Sequence, residues 1–160
     1  MILPAAVLSL SVSLSLGLAT TVSAQAASYT FLNQLPPYSN PSPAMLSALT
    51  VPKIGTKLKL QVPFSWIQRN GVGADSVLAT GVSNPFLKFP AFQGYVFTSA
   101  EFVLPTPGSP LGTPGTTTME FAIPNNTHLI GVKFYQQVLT VPRMSTVGTL
   151  SRGGIGVVGT

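Results

Sequence analysis

TTMEFAIPNNTHLIGVKFYQQVLTV, residues Thr117–Val141, is the stretch whose reading decides the fold. Met119, Phe121 and Ile123 fall on one face of an extended segment, with Thr118 and Glu120 on the other. Pro124-Asn125-Asn126 stops that segment, and Val132–Val141 resumes as a second, longer run rich in β-branched and aromatic residues. Alternation with period two, a turn cluster and another such run predict two neighbouring strands. The gap from Pro124 to Ile130 is long for a tight hairpin, so direct pairing of the two is expected without being forced.

Outward from this pair the chain reads as short strands. Ser28–Asn33 is a first one. Lys57–Val62 has the cleanest alternation, with Leu58, Leu60 and Val62 inward and Lys57, Lys59 and Gln61 outward. Asn70-Gly71 marks a turn inside the polar loop Gln68–Asp75, and Ser76–Thr80 is a short strand after it. Gly94–Leu104 is one long strand or two broken ones, Arg143–Gly148 a loop or short strand, and Gly153–Thr160 the last strand. Two segments, Leu35–Pro43 and Pro105–Gly115, carry four prolines each and are surface loops. The expected fold is all-β: a β-sandwich of about seven or eight mostly antiparallel strands, with a partly open barrel as the alternative.

Composition points outside the cytoplasm. Charged residues make up 7% of the 160-residue chain, against roughly 25% in an average soluble domain. Residues 2–22 carry no charge, and small-residue sites follow at Val22-Ser23-Ala24 and Ala24-Gln25-Ala26. Residues 1–24 therefore read as a secretory signal peptide, with cleavage also acceptable after Ala26, and 27–160 as a single domain. No Lys or Arg precedes the apolar run, and a retained membrane anchor is the competing reading. With no cysteine, the exported domain has to rely on its core rather than on disulfides.

The net charge of +5 is scattered over eight basic residues, with Lys53, Lys57 and Lys59 forming a small patch. A nucleic-acid footprint needs a denser stripe, so no nucleic-acid partner is expected. The acid–base inventory is short: Asp75, Glu101, Glu120 and His128. A triad could be written from His128, Asp75 and a serine, but no Gly-x-Ser-x-Gly elbow exists. Glu101 and Glu120 could serve as paired glycosidase carboxylates; their alternating positions instead predict outward strand faces. A single histidine argues against zinc, no Asp-rich loop suggests calcium, and no cofactor-binding motif is present. The chain reads as a non-enzyme with no metal and no cofactor.

Binding is the remaining class. Among Tyr29, Tyr38, Trp66, Tyr95 and Tyr135, the candidate ligand-binding residues are Trp66, Tyr95 and Tyr135, whose rings could stack on a sugar. The competing reading puts Trp66 and most tyrosines in the core or at its rim. The expected function is a structural or adhesive module at the cell surface or outside the cell, with carbohydrate binding as the alternative. Its partners would be an extracellular or cell-surface protein or a polysaccharide. A neutral, Thr-rich surface also predicts self-association through strand edges.

Several phrases together resemble a small exported all-β domain, often C-terminal, of planctomycete and related bacterial secreted proteins. They are Pro52–Thr56 with its KLKLQV strand, Ala79–Ser83, Phe121–Asn126, Leu129–Gln137 and Thr149–Gly154, in matching order across roughly residues 28 to 160. The resemblance implies an exported all-β module and brings no activity with it. Where relatives often carry a Tyr-Gly and a Cys-containing turn, this chain has Tyr38-Ser39-Asn40-Pro41-Ser42, so any disulfide typical of the family is absent here.

Overall fold

The computed structural model describes residues 24–33, 46–88, 91–109, 112–145 and 147–160. Residues 1–23 of the segment read as a signal peptide and the proline-rich stretch Leu35–Pro43 lie outside the described residues. The strands, in chain order, are β1 (Ser28–Leu32), β2 (Ser47–Ala48), β3 (Lys57–Pro63), β4 (Trp66–Ile67), β5 (Gly73–Gly81), β6 (Leu87–Lys88) and β7 (Phe92–Gln93). They continue with β8 (Tyr95–Val96), β9 (Phe102–Pro105), β10 (Thr116–Ala122), β11 (Lys133–Pro142), β12 (Gly148–Leu150) and β13 (Gly153–Val157). The described residues form thirteen strands, more than the seven or eight expected, because several expected strands are broken and two-residue strands bridge the loops. The class is as read: all-β and mostly antiparallel, in sheets that do not close into a barrel.

The larger sheet is centred on β11. One edge of β11 carries β13, then β1, and further along β12 and β7; its other edge carries β5, to which β9 and β4 add at opposite ends. The smaller sheet runs β10-β3-β2. Their facing sides share one core: Leu58, Leu60 and Val62 of β3 meet Leu78 of β5, Val138 of β11 and the loop residue Leu46. Each such buried aliphatic side chain contributes roughly 1.5–3 kcal/mol. The alternation read in Lys57–Val62 is the alternation observed, with the leucines and valine fully buried.

The opening stretch folds differently from its expected direct pairing. β10 pairs with β3 in the smaller sheet, while β11 pairs with β5, β12 and β13 in the larger one. The ten residues between them, 123–132, form a crossover rather than a hairpin. Asn126 caps a single 3₁₀ turn, Thr127–Leu129, by accepting the His128 N–H, and Gly131 turns the chain at a φ of 84°. The reason is two-sided burial. The face of β10 bearing Met119 and Phe121 packs inward, and β11 has to be buried on both faces.

β11 is covered on both sides because a third layer lies over the larger sheet. Phe134, Gln136 and Val138 face the smaller sheet, and Gln137 on the opposite face is fully buried. The Gln137 amide explains how. Its Oε1 accepts the Phe97 N–H at 2.9 Å, and its Nε2 donates to the Tyr95 and Ser151 carbonyls at 2.9 and 2.8 Å. One side chain thus ties this segment, whose strand β8 pairs antiparallel with β6, to the face of the larger sheet. Phe97 lies over Gly153 and is itself 2% exposed. On the inner face, the rings of Tyr29 and Phe134 lie across Gly154 and Gly156, where a Cβ would have no room.

Three smaller differences have local causes. Asn70-Gly71 makes the turn as read, with Gly71 at φ 82° and Val72 N–H bonded to Asn70 Oδ1. The loop is shorter, however, and β5 starts at Gly73, because eight consecutive residues of β5 find partners on β11. Gly94–Leu104 is broken, with Ala100 at φ 56°, so Glu101 precedes β9 rather than occupying a strand face. The last strand ends at Val157 rather than Thr160.

Candidate functional site

The two flanks of the sandwich are unlike. On the β1 side the gap between sheets is closed: Arg152 Nε donates to the Leu46 carbonyl, and its guanidinium sits 3.7 Å above the Phe31 ring. On the β9 side it is open. A cleft of about 290 Å³ there is lined by Leu58, Phe121 and Ile123 from the smaller sheet and by Phe102, Leu104 and Phe134 from the larger. Gln136 reaches its wall, bonded to the Tyr29 hydroxyl and to Thr80 Oγ1. Tyr29 is held protonated, its pKa pushed well above the ordinary 10 by burial against the opposing effect of Arg152.

Both strands bordering the cleft are edges, with no further strand beside either among the described residues. β9 is exposed along its whole length, with Phe102 at 69% and Val103 at 53%. Its hydrogen-bond phase follows from Thr106 N–H donating to the Ser76 carbonyl at 2.9 Å, in register with Val77↔Pro105. Alternation along an antiparallel pair then aims Phe102 and Leu104 backbone groups at β5 and those of Val103 outward. Pro105, which has no N–H to offer, takes the next outward position. Sequence reading identified a strand here and missed its exposure; Pro105 in a strand-like run was the available edge signal.

Trp66 lies elsewhere. It pairs with Ala74, which pairs with Pro142, at the far end of β11. There it lines a cavity of about 470 Å³ together with Pro63, Phe64, Pro114 and the hydroxyl-bearing Ser76 and Thr140. Ser76 Oγ and Thr140 Oγ1 are 3.0 Å apart and hydrogen-bonded. Tyr135 is seven residues back along β11, roughly 23 Å away at the rise of a strand, and on the opposite face. Tyr95 belongs to the outer layer, its ring stacked on Phe86 with centroids 4.9 Å apart and planes 10° from parallel. The structure therefore keeps Trp66 off any platform shared with Tyr135.

The ionisable groups are engaged at the surface. Glu120 faces outward on β10, 2.8 Å from Lys57 Nζ and 2.9 Å from Lys59 Nζ. Hydrogen bonds and charge from these lysines lower its pKa to about 2. The basic patch read from sequence is thus partly neutralised. Glu101 accepts from Ser99 Oγ and from the Val82 N–H, which hold its pKa below the ordinary range. Asp75 pairs with Arg143 at 2.7 Å. His128 is exposed in the 3₁₀ turn. Among the described residues no three His, Cys, Asp or Glu side chains gather as metal ligands.

Fold and surfaces define a β-sandwich with one open apolar flank and a separate tryptophan-lined cavity. Comparison with protein-family models, with curated proteins and with solved structures gives no match.

Proposed function

We propose that this chain is a non-catalytic exported module, structural or adhesive in role, that acts through its surface at or beyond the cell envelope. The observation that carries the reading is the engagement of its carboxylates. Glu120 is held between two lysines, Asp75 by Arg143, and Glu101 by Ser99 and Val82. A general acid or base has to exchange its proton near the working pH, and Glu120 and Glu101, stabilised as anions, are poor at this. The apolar N-terminal run, the small-residue sites after it and the phrases that resemble exported all-β domains support export. A broad hydrolase screen on the purified protein tests the reading. Turnover that disappears in Glu101→Gln or His128→Ala would overturn it.

A second reading, carbohydrate binding, is favoured by the Trp66 cavity, where an indole, three prolines and threonine hydroxyls line one concavity. An aromatic wall with a few hydroxyl partners suits the apolar face and the hydroxyl rim of a sugar. Titration of Trp66 fluorescence with a panel of cell-wall and algal polysaccharides tests it. A saturable shift supports it, and a flat response across the panel removes it.

A further inference from the structure

From the open flank we infer that β9 is a pairing edge for a second copy of this chain, joining two larger sheets about a two-fold axis at Val103. The occupant follows from the edge itself. Among the described residues β9 pairs only with β5, and the one residue in its middle with outward backbone groups is Val103. An antiparallel pair centred on Val103 exchanges two N–H···O=C bonds between identical residues, which is the self-complementary arrangement a two-fold interface requires. Pro105 weakens the ladder beyond that pair, since it keeps an outward carbonyl but offers no N–H. The next outward position has no N–H, so an unrelated longer strand gains little that a second β9 does not.

Side chains agree with this register. Phe102 of each copy falls opposite Leu104 of the other, both on the cleft side, so each cleft is closed by the partner's apolar residues. Charge does not oppose the contact locally. β9 is uncharged, and the two Glu101 side chains stand four residues apart across the axis, roughly 13 Å, beyond the screening length at physiological salt of about 8 Å. Each copy does carry +5 overall, so apolar contact works against long-range repulsion.

Size sets the strength. Phe102, 69% exposed, contributes on the order of 130 Å² to what the partner can cover. With Val103, Leu104 and the cleft wall the total falls short of the roughly 800 Å² per partner of a stable interface. The dimer is therefore weak and concentration-dependent, and it strengthens as salt screens the net charge. It rests on the edge alone and holds whether or not the chain is exported or binds a glycan.

Sedimentation velocity of the purified protein from 10 μM to 1 mM, at low and high salt, is the test, with amide exchange read at Val103. The expected result is a reversible dimer, favoured by salt, with the Val103 N–H slowing as concentration rises. Val103→Pro removes that outward N–H without touching a bond to β5, and Phe102→Lys adds a charge to an exposed position. Both variants should keep the wild-type melting temperature within a few degrees and remain monomeric. A monomer throughout the range overturns the inference. So does a dimer that persists in both variants, which would place the contact on another surface, or Val103 protection that is independent of concentration, which would mean another segment of the same chain covers the edge.

Discussion

Replacing Gln137 by leucine should cost more than any other single polar substitution in the larger sheet. The side chain is fully buried and makes three hydrogen bonds, all to main-chain groups of other segments. Leucine has nearly the same volume, so little cavity is created and the loss is polar. The Phe97 N–H is left buried without an acceptor, and the Tyr95 and Ser151 carbonyls each lose a donor. An unsatisfied buried group costs about 1–3 kcal/mol, the donor at the upper end, which sums to about 3–5 kcal/mol after the apolar gain of leucine. That is a large share of the 5–15 kcal/mol typical of a domain. Urea unfolding followed by Trp66 fluorescence measures it. Gln136→Leu is the comparison: that amide is also buried, but it bonds two side-chain hydroxyls, Tyr29 and Thr80, which can rotate toward other partners; about 1–2 kcal/mol is expected. A Gln137→Leu loss below 1 kcal/mol, or equal losses at the two positions, would refute the assignment of Gln137 as the anchor of the outer layer.

Three further outcomes follow from the same contacts. The Glu120 carboxyl should titrate with a midpoint near 2 rather than 4.5. A depressed carboxylate stabilises the fold above its unfolded pKa and loses that contribution as pH falls toward 2, so Glu120→Gln should flatten stability between those values; an NMR midpoint near 4.5 would contradict the double lysine contact. Gly156→Ala forces the Phe134 ring off the β13 backbone and should cost about 1–3 kcal/mol, read by thermal unfolding, whereas an alanine at Gly108, where the nearest atom is 3.8 Å away, should change little. Processing should favour Ala24 over Ala26 in stability, because the Gln25 carbonyl accepts from the Thr160 N–H at 3.1 Å; a chain starting at Ala27 should melt lower than one starting at Gln25.

The class and the inward face of β3 were legible because period-two alternation is a local signal, and Leu58, Leu60 and Val62 carry it without interruption. The partner of β10 was not legible. Pairing depends on which sheet offers a free edge, and nothing in Pro124–Ile130 encodes that the chain crosses layers. Gln137 was equally hidden, since an amide flanked by Gln136 and Val138 looks like a solvent-facing position. Its burial is decided by a segment forty residues earlier. For the candidate site, the sequence named rings but could not say that Trp66 and Tyr135 occupy opposite faces, because both lie in short apolar runs. The exposed β9 edge was visible only through Pro105, one residue in a run otherwise indistinguishable from a buried strand.

The claim of an exported module acting through its surface meets its most direct test in cell fractionation with N-terminal sequencing of the product. The account predicts a chain beginning at Gln25 or Ala27 in the medium or on the envelope. A full-length chain beginning at Met1 and confined to the cytoplasm would contradict it.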